Sequence, residues 1–181
     1  MTDQGPKRIG VSFDLKPHAY DPVLTPEYFD GVLARRSVAF LIDLVILAIP
    51  MMFLSVFIFV AGIVTLGLGF LLYGLLPAVS VIWALLYYGW SFGRPESATI
   101  GMSMMDLEMR TWYGAPAYFL LGAVHAIVFW VTVSALTPLI LLVALLNTRR
   151  RLLHDILVGT IVINNASRAR GLRPDFPAGS V

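Results

Sequence analysis

One acidic side chain lies deep inside a long apolar stretch of this sequence, shortly after a pair of basic residues. Arg35 and Arg36 precede the stretch, and Asp43 is the only Asp, Glu, Lys, Arg or His between Ser37 and Gly93. A carboxylate near the middle of a membrane helix costs roughly 2.5–3.5 kcal/mol to insert, so it requires a partner charge, a protein interior or a hydrated cavity. Arg36 and Asp43 are about 10 Å apart along a helix and share one face, so we expect them to pair. The pattern predicts either a buried ion pair or a site for a proton or cation.

Three further titratable residues are candidates for chemistry. Asp155 directly follows His154, and His125 is the only ionisable residue in the apolar run 115–148. A lone histidine on an apolar helix is most often a packed one, and the sharper alternative is that His125 relays protons to Asp43. His154 and Asp155 could form an acid–base pair, but adjacent helical residues point about 100° apart and no nucleophile motif accompanies them. We therefore expect that the protein is not an enzyme.

The sequence lacks the patterns that hold metals, cofactors or nucleic acids. It contains no cysteine, so it has neither a disulfide framework nor a thiolate metal site. Neither a glycine-rich phosphate loop nor an H-E-x-x-H helix occurs, and the basic residues lack interleaved aromatic residues. The methionines at 102, 104, 105 and 109 are more typical of packing than of metal binding. We expect no metal, no cofactor and no nucleic-acid partner.

The composition predicts that these residues belong to an integral membrane protein. Apolar residues make up 58% of the 181 residues and charged residues 13%, against about 45–50% and 25% in soluble domains. Continuous apolar runs in lipid favour helices, because each helix satisfies its own backbone hydrogen bonds. We predict full spans at Tyr28–Val60 and Phe70–Trp90, joined by an uncharged turn at 61–69. The aromatic group Tyr87, Tyr88 and Trp90 predicts an interfacial belt.

The third apolar region, 115–148, is too long for one straight span and too short for two. Basic residues favour the cytoplasmic side for the N-terminus, for the 93–113 loop and for Arg149–Arg151. A bent or re-entrant helical pair, broken around Ser134–Pro138, satisfies all three placements and leaves the C-terminus in the cytoplasm. A single third span with an external C-terminus is the alternative. Either topology predicts a multi-pass protein of the cell (cytoplasmic) membrane whose first partner is the lipid bilayer.

A short β ladder is expected outside the spans. Apolar and charged residues alternate over 104–110, which is the two-residue period of a half-buried strand. The β-branched segment Thr160–Asn164 is its candidate partner. The predicted fold is therefore an all-α membrane protein with two full transmembrane helices, a bent or re-entrant helical pair and a small cytosolic two-stranded ladder. Residues 1–30 are predicted to be a flexible cytosolic tail, and residues 165–181 a basic flexible tail.

Three blocks together resemble the RDD family of small membrane proteins, named for one arginine and two aspartates. They are RRSVAFLID at 35–43, ATIGMSMMDLEMR at 98–110 and RRRLLHDILVGTIVI at 149–163. The resemblance covers about residues 30–164, implies a transmembrane domain at 31–164, and assigns the three family residues to Arg36, Asp43 and Asp155. Relatives often carry a lysine where this chain has Met102 and an arginine where it has His125, which makes its site less positive or pH-dependent. The resemblance implies an integral membrane protein of unsettled role, for which ligand transport is suspected.

Two functions follow as hypotheses from this charge cluster. In the first, Asp43 binds a proton or cation in a hydrated crevice and the protein transports an ion or small solute, with His125 and His154 as auxiliary groups. In the second, Arg36, Asp43 and Asp155 clamp helices in a structural or accessory membrane protein. That protein would assemble with a second copy of itself or with a membrane partner protein.

Overall fold

The computed structural model describes residues 19–136, 143, 149 and 151–173 of the chain. Helix α1 (Val32–Val64) is followed by a 3₁₀ helix (Leu68–Leu75) that leads into α2 (Leu76–Gly93). The 33 residues of α1 span about 50 Å at 1.5 Å per residue. Helix α1 therefore continues past the predicted end of the first span, and the uncharged turn is shorter than predicted.

Two helical segments of the described chain are long and apolar enough to cross a membrane. A core helix of a soluble protein would meet the same criteria, but it would be mostly buried by the rest of its own chain. Only 11% of the most apolar window of the first segment and 6% of that of the second are buried inside the protein. Large apolar side chains such as Phe53, Phe57 and Leu71 point outward. Helices surrounded by lipid rather than by protein have this pattern.

Helix α4 (Phe119–Leu136) packs closely against α2. A Cβ atom at Gly122 would lie 2.7 Å from Cβ of Phe92, and one at Gly89 would lie 2.8 Å from the ring of Phe119. Glycine at these positions lets the two backbones approach. Helix α4 continues through Ser134 to Leu136 without a break, and residues 137 and 138 of the predicted break lie outside the described residues, so the re-entrant pair and the single third span both stay predictions.

A two-stranded antiparallel sheet confirms the predicted pairing of the two segments, but the first strand begins at Leu107 rather than at 104, because a short helix ends at Met104. Strand β1 (Leu107–Thr111) pairs with β2 (Thr160–Asn164), with Leu107 opposite Asn164 and Thr111 opposite Thr160. The short helix α3 (Ile100–Met104) precedes β1, and α5 (Leu153–Val158) precedes β2. All five residues of β2 are buried. One face of the sheet, with Leu107, Met109 and Val162, belongs to the main hydrophobic core that also contains residues of α1 and α2. The other face, with Ile161 and Ile163, packs on Phe29 just before α1.

Parts of both predicted tails pack against this sheet. The side-chain amide of Asn164 donates to the backbone oxygens of Glu27 and Asp30 at 2.8 and 2.9 Å, and the ring of Phe29 is buried beside Ile161 and Ile163. After β2, a helix α6 (Ala166–Leu172) occupies the beginning of the region predicted to be a flexible tail. The contacts of Asn164 and Phe29 tie the segment before α1 to β2, and Nε of Arg173, just after α6, lies 2.8 Å from Oε1 of Glu27.

Candidate functional site

Arg36 and Asp155 form a two-point ion pair that joins α1 to α5. Nη1 of Arg36 lies 2.6 Å from Oδ2 of Asp155, and Nη2 lies 3.1 Å from Oδ1. The backbone N–H of Leu152 donates to Oδ2 at 2.9 Å in the first turn of α5. The Asp155 side chain is 0% exposed and that of Arg36 12% exposed. Both carboxylate oxygens therefore have charged or backbone donors in a buried position.

The electrostatic surroundings keep Asp155 ionised and His154 neutral. Burial raises the pKa of Asp155, but the Arg36 guanidinium and the nearby His154 outweigh burial and hold that pKa well below its usual range. Burial disfavours the imidazolium of His154 and lowers its pKa to about 3, against the attraction of Asp155. At neutral pH the site thus holds a carboxylate beside an uncharged imidazole.

Asp43 has a different set of partners, all of them uncharged. The Tyr87 hydroxyl donates to Oδ1 at 2.5 Å, the Thr99 hydroxyl to Oδ2 at 2.6 Å, and the Gly101 N–H to Oδ1 at 2.8 Å. A Cβ atom at residue 101 would clash with the Ala39 carbonyl and lie 2.9 Å from Asp43. Glycine is therefore required where α3 approaches α1.

The predicted pairing of Arg36 with Asp43 is wrong. Within the described residues, no Arg, Lys or His nitrogen lies within 4.0 Å of the Asp43 carboxylate. Arg36 instead turns to Asp155, which offers both oxygens to the two ends of its guanidinium group. Such a bidentate contact is stronger and more specific than a single contact reached along two helical turns.

The two candidate histidines lie beside Asp155. Nε2 of His125 is 3.8 Å from Oδ1 of Asp155, and Nε2 of His154 is 3.5 Å from the same oxygen. The two rings meet edge to face with centroids 4.9 Å apart. Nδ1 of His125 lies 3.3 Å from the Thr160 hydroxyl. His125, His154 and Asp155 are the described residues whose ligand atoms group closely enough to hold a metal ion.

A cavity of about 400 Å³ connects these groups. Its wall is largely apolar and includes side chains of α1 and α4. The polar members of the wall come from both parts of the site: Arg36, Ser37, Asp43, Thr99, His125 and His154. A volume of this size is within the range of small-molecule sites. Asp43 therefore lines the cavity directly, whereas Asp155 is linked to it through its contacts with Arg36 and His154, which are part of the wall.

Three residues that complete the site were not assigned to it from sequence. Tyr87 and Tyr88 were predicted to form an interfacial belt with Trp90, but both tyrosines are buried and Trp90 is 58% exposed. The Tyr87 hydroxyl is needed to satisfy Asp43. Thr99 and Gly101 donate hydrogen bonds to Asp43, although they lie more than 50 positions after it in the sequence. The only local signal is Thr-Ile-Gly at the start of a short helix.

Comparison with known proteins identifies one family. A model of the RDD family matches residues 31–159, which are 129 of the 181 residues. The matched region includes Arg36, Asp43 and Asp155. No curated protein and no solved structure matches the chain.

Proposed function

This chain belongs to the RDD family, and from that premise we propose that it is a multi-pass protein of the cell membrane that transports an ion or small solute. The observation that carries the proposal is the position of Asp43. Its carboxylate is 3% exposed, has hydrogen bonds only from uncharged donors, and lines the cavity of about 400 Å³. A buried ionisable group beside a cavity is typical of ion and proton pathways.

The charges around the cavity favour a cation or a proton. Arg36 and Asp155 offset each other in their ion pair. His154 is uncharged at pH 7, because burial lowers its pKa to about 3. Asp43 is then the source of net negative charge at this end of the cavity. Three hydrogen bonds stabilise that charge without neutralising it, so a mobile cation or proton is the natural counterion.

Contacts at the two ends of the domain support a cytoplasmic C-terminus. Asn164 follows the third apolar region, yet its amide contacts Glu27 and Asp30, which precede α1. Arg35, at the start of α1, donates to the Asn164 side chain at 2.6 Å. An even number of crossings returns the chain to its starting side, so these contacts favour the re-entrant pair. With the N-terminus in the cytoplasm, the β ladder lies in the cytosol.

Substitution of Asp43 by asparagine tests the transport proposal. The full-length protein is reconstituted in proteoliposomes with an entrapped pH-sensitive dye, and Na⁺ or K⁺ gradients are imposed across the membrane. We expect Asp43→Asn to abolish coupled proton flux while membrane insertion and thermal stability in detergent are retained, because the amide keeps most hydrogen bonds but neither charge nor proton. Glu96→Gln, the same change at an exposed carboxyl, should leave flux unchanged. Equal flux in Asp43→Asn and the native protein would reject the proposal.

A structural or accessory role is the second candidate, and the Arg36–Asp155 pair favours it. The pair joins positions 119 apart in sequence and lies in a buried region, so it clamps α1 to the C-terminal part of the domain. In this case the native protein shows no flux above empty liposomes, and Asp43→Asn lowers stability or abundance instead. The partner would be a second copy of the chain or another membrane protein.

A further inference from the structure

We propose that His125, His154 and Asp155 form a binding site for a divalent transition-metal ion. One ligand atom from each residue lies within 4.8 Å of the other two. The two Nε2 atoms are 3.8 and 3.5 Å from Oδ1 of Asp155. Ligand atoms about 2.0–2.1 Å from a tetrahedral zinc are roughly 3.3 Å apart. Small side-chain rotations would bring the three atoms to that spacing.

The surrounding contacts orient two of the three ligands as a metal site requires. Asp155 Oδ2 is held by Arg36 and by the Leu152 N–H, while Oδ1 faces both histidines and has the longer Arg36 contact of 3.1 Å. A carboxylate held in this way can bind an ion through Oδ1 alone. Nδ1 of His125 is positioned by the Thr160 hydroxyl. Ligating histidines generally have such a partner on the second ring nitrogen, and it fixes the ring orientation.

His154 is buried and, unlike His125, has no partner on its second ring nitrogen among the described residues. Its side chain is 1% exposed, and its Nδ1 is buried without a hydrogen-bond partner in that part of the chain. A metal bound at Nε2 would not satisfy this Nδ1, so that nitrogen needs a water molecule, or the ion binds through Nδ1 itself. The cavity borders the rings of His125 and His154, which provides an entry path and space for a water molecule as a fourth ligand.

The ligand types select the class of metal. Imidazole suits zinc, nickel, copper and iron, whereas magnesium and calcium prefer sites made of oxygen atoms alone. Arg36 shares Asp155 and opposes a second positive charge, so the site should be weaker and more readily exchanged than a closed four-ligand site. The sequence alone predicts no metal because His125 and His154 are 29 positions apart and meet only where α4 packs on α5. This inference does not depend on transport.

Cobalt titration of the full-length protein provides the test. The chain has no cysteine and three histidines, so His18→Gln leaves the two proposed ligands as its only histidines. Tag-free protein is treated with EDTA and titrated with Co²⁺ while the visible d–d absorption is recorded, and Zn²⁺ is then added as a competitor. We expect one Co²⁺ per chain in the native protein and in His18→Gln. His125→Gln and His154→Gln should each weaken binding at least tenfold.

A positioning variant separates ligation from general stability. Thr160→Val removes the hydroxyl that orients His125, and loss of such a partner typically weakens metal binding 10–100-fold. The proposal is wrong if the native protein binds no Co²⁺. It is also wrong if both histidine variants bind Co²⁺ with the same affinity as the native protein. If the histidine variants do not fold, proton NMR of Co²⁺-loaded His18→Gln shows whether His125 and His154 bind the metal. Two histidine rings with metal-shifted resonances support the site, and unshifted rings reject it.

Discussion

Asp43 and Asp155 are both buried, but their partners give them different chemical properties. Asp155 receives the guanidinium group of Arg36 and a backbone N–H, so its charge is compensated within the protein. Asp43 receives two hydroxyl groups and one N–H, which stabilise a negative charge without cancelling it. The first aspartate is thus suited to hold the fold together. In the proposed transport function, the second is the group that exchanges a cation or proton with the cavity.

The stabilising role of Asp155 can be measured with a double-mutant cycle. Asp155→Asn should destabilise the protein by about 3–5 kcal/mol, because it leaves the Arg36 guanidinium buried without its counterion. Arg36→Gln should cost a similar amount for the converse reason. The double variant should lose less than the sum of the two single losses, since no uncompensated charge remains. The measurement is reversible unfolding in detergent. Strictly additive losses would show that the two residues do not act as a pair.

At the scale of elements, local periodicity explains what the sequence could predict. Alternation over 104–110 and the β-branched run at 160–164 identified both strands, and apolar length identified α1 and the region of α2. Arg36 and Asp43 were found as charges at the start of and inside an apolar run, and the family-like blocks added Asp155. The structural hypothesis brought Arg36 and Asp155 together, but the donors to Asp43 were not predictable, because they depend on how distant elements pack. Helix α3 brings its donors to Asp43 through a close backbone approach that no short sequence period encodes.

The approach of α3 to α1 leads to a prediction for Gly101. Replacement of glycine by alanine within an exposed helix normally stabilises it by roughly 0.5–1 kcal/mol. At Gly101 the added Cβ atom would clash with the Ala39 carbonyl and crowd the Asp43 carboxylate. We therefore expect Gly101→Ala to destabilise the protein by about 1–3 kcal/mol. Gly171→Ala in α6 is the matched control, since a Cβ atom there has no neighbour within 4 Å. Equal melting temperatures for the two variants would contradict this packing.

At the scale of the whole molecule, adjacent arginines fasten the start of α1 to two different parts of the chain. Arg36 binds Asp155 at the start of α5, whereas Arg35 binds Asn164 in β2 and reaches the backbone oxygen of Met105 and the side chain of Asp106. The segment between α2 and α4 and the segment after α5 are therefore held beside the N-terminal end of α1. All three segments are expected on one side of the membrane.

Cysteine labelling can test that arrangement, because the native chain contains no cysteine. Single cysteines are introduced at Leu66, which is 96% exposed between α1 and the 3₁₀ helix, and at the exposed positions Glu96 and Arg170. A membrane-impermeant maleimide added to intact cells should label Leu66→Cys alone. Glu96→Cys and Arg170→Cys should react only after the membrane is permeabilised, because the contacts of Arg35 and Asn164 hold both regions at the cytoplasmic end of α1. Labelling of Arg170→Cys in intact cells would instead favour a single third span with an external C-terminus. Such labelling would place Asn164 and Glu27 on opposite sides of the bilayer and would contradict the proposed arrangement, in which these two residues share a hydrogen bond.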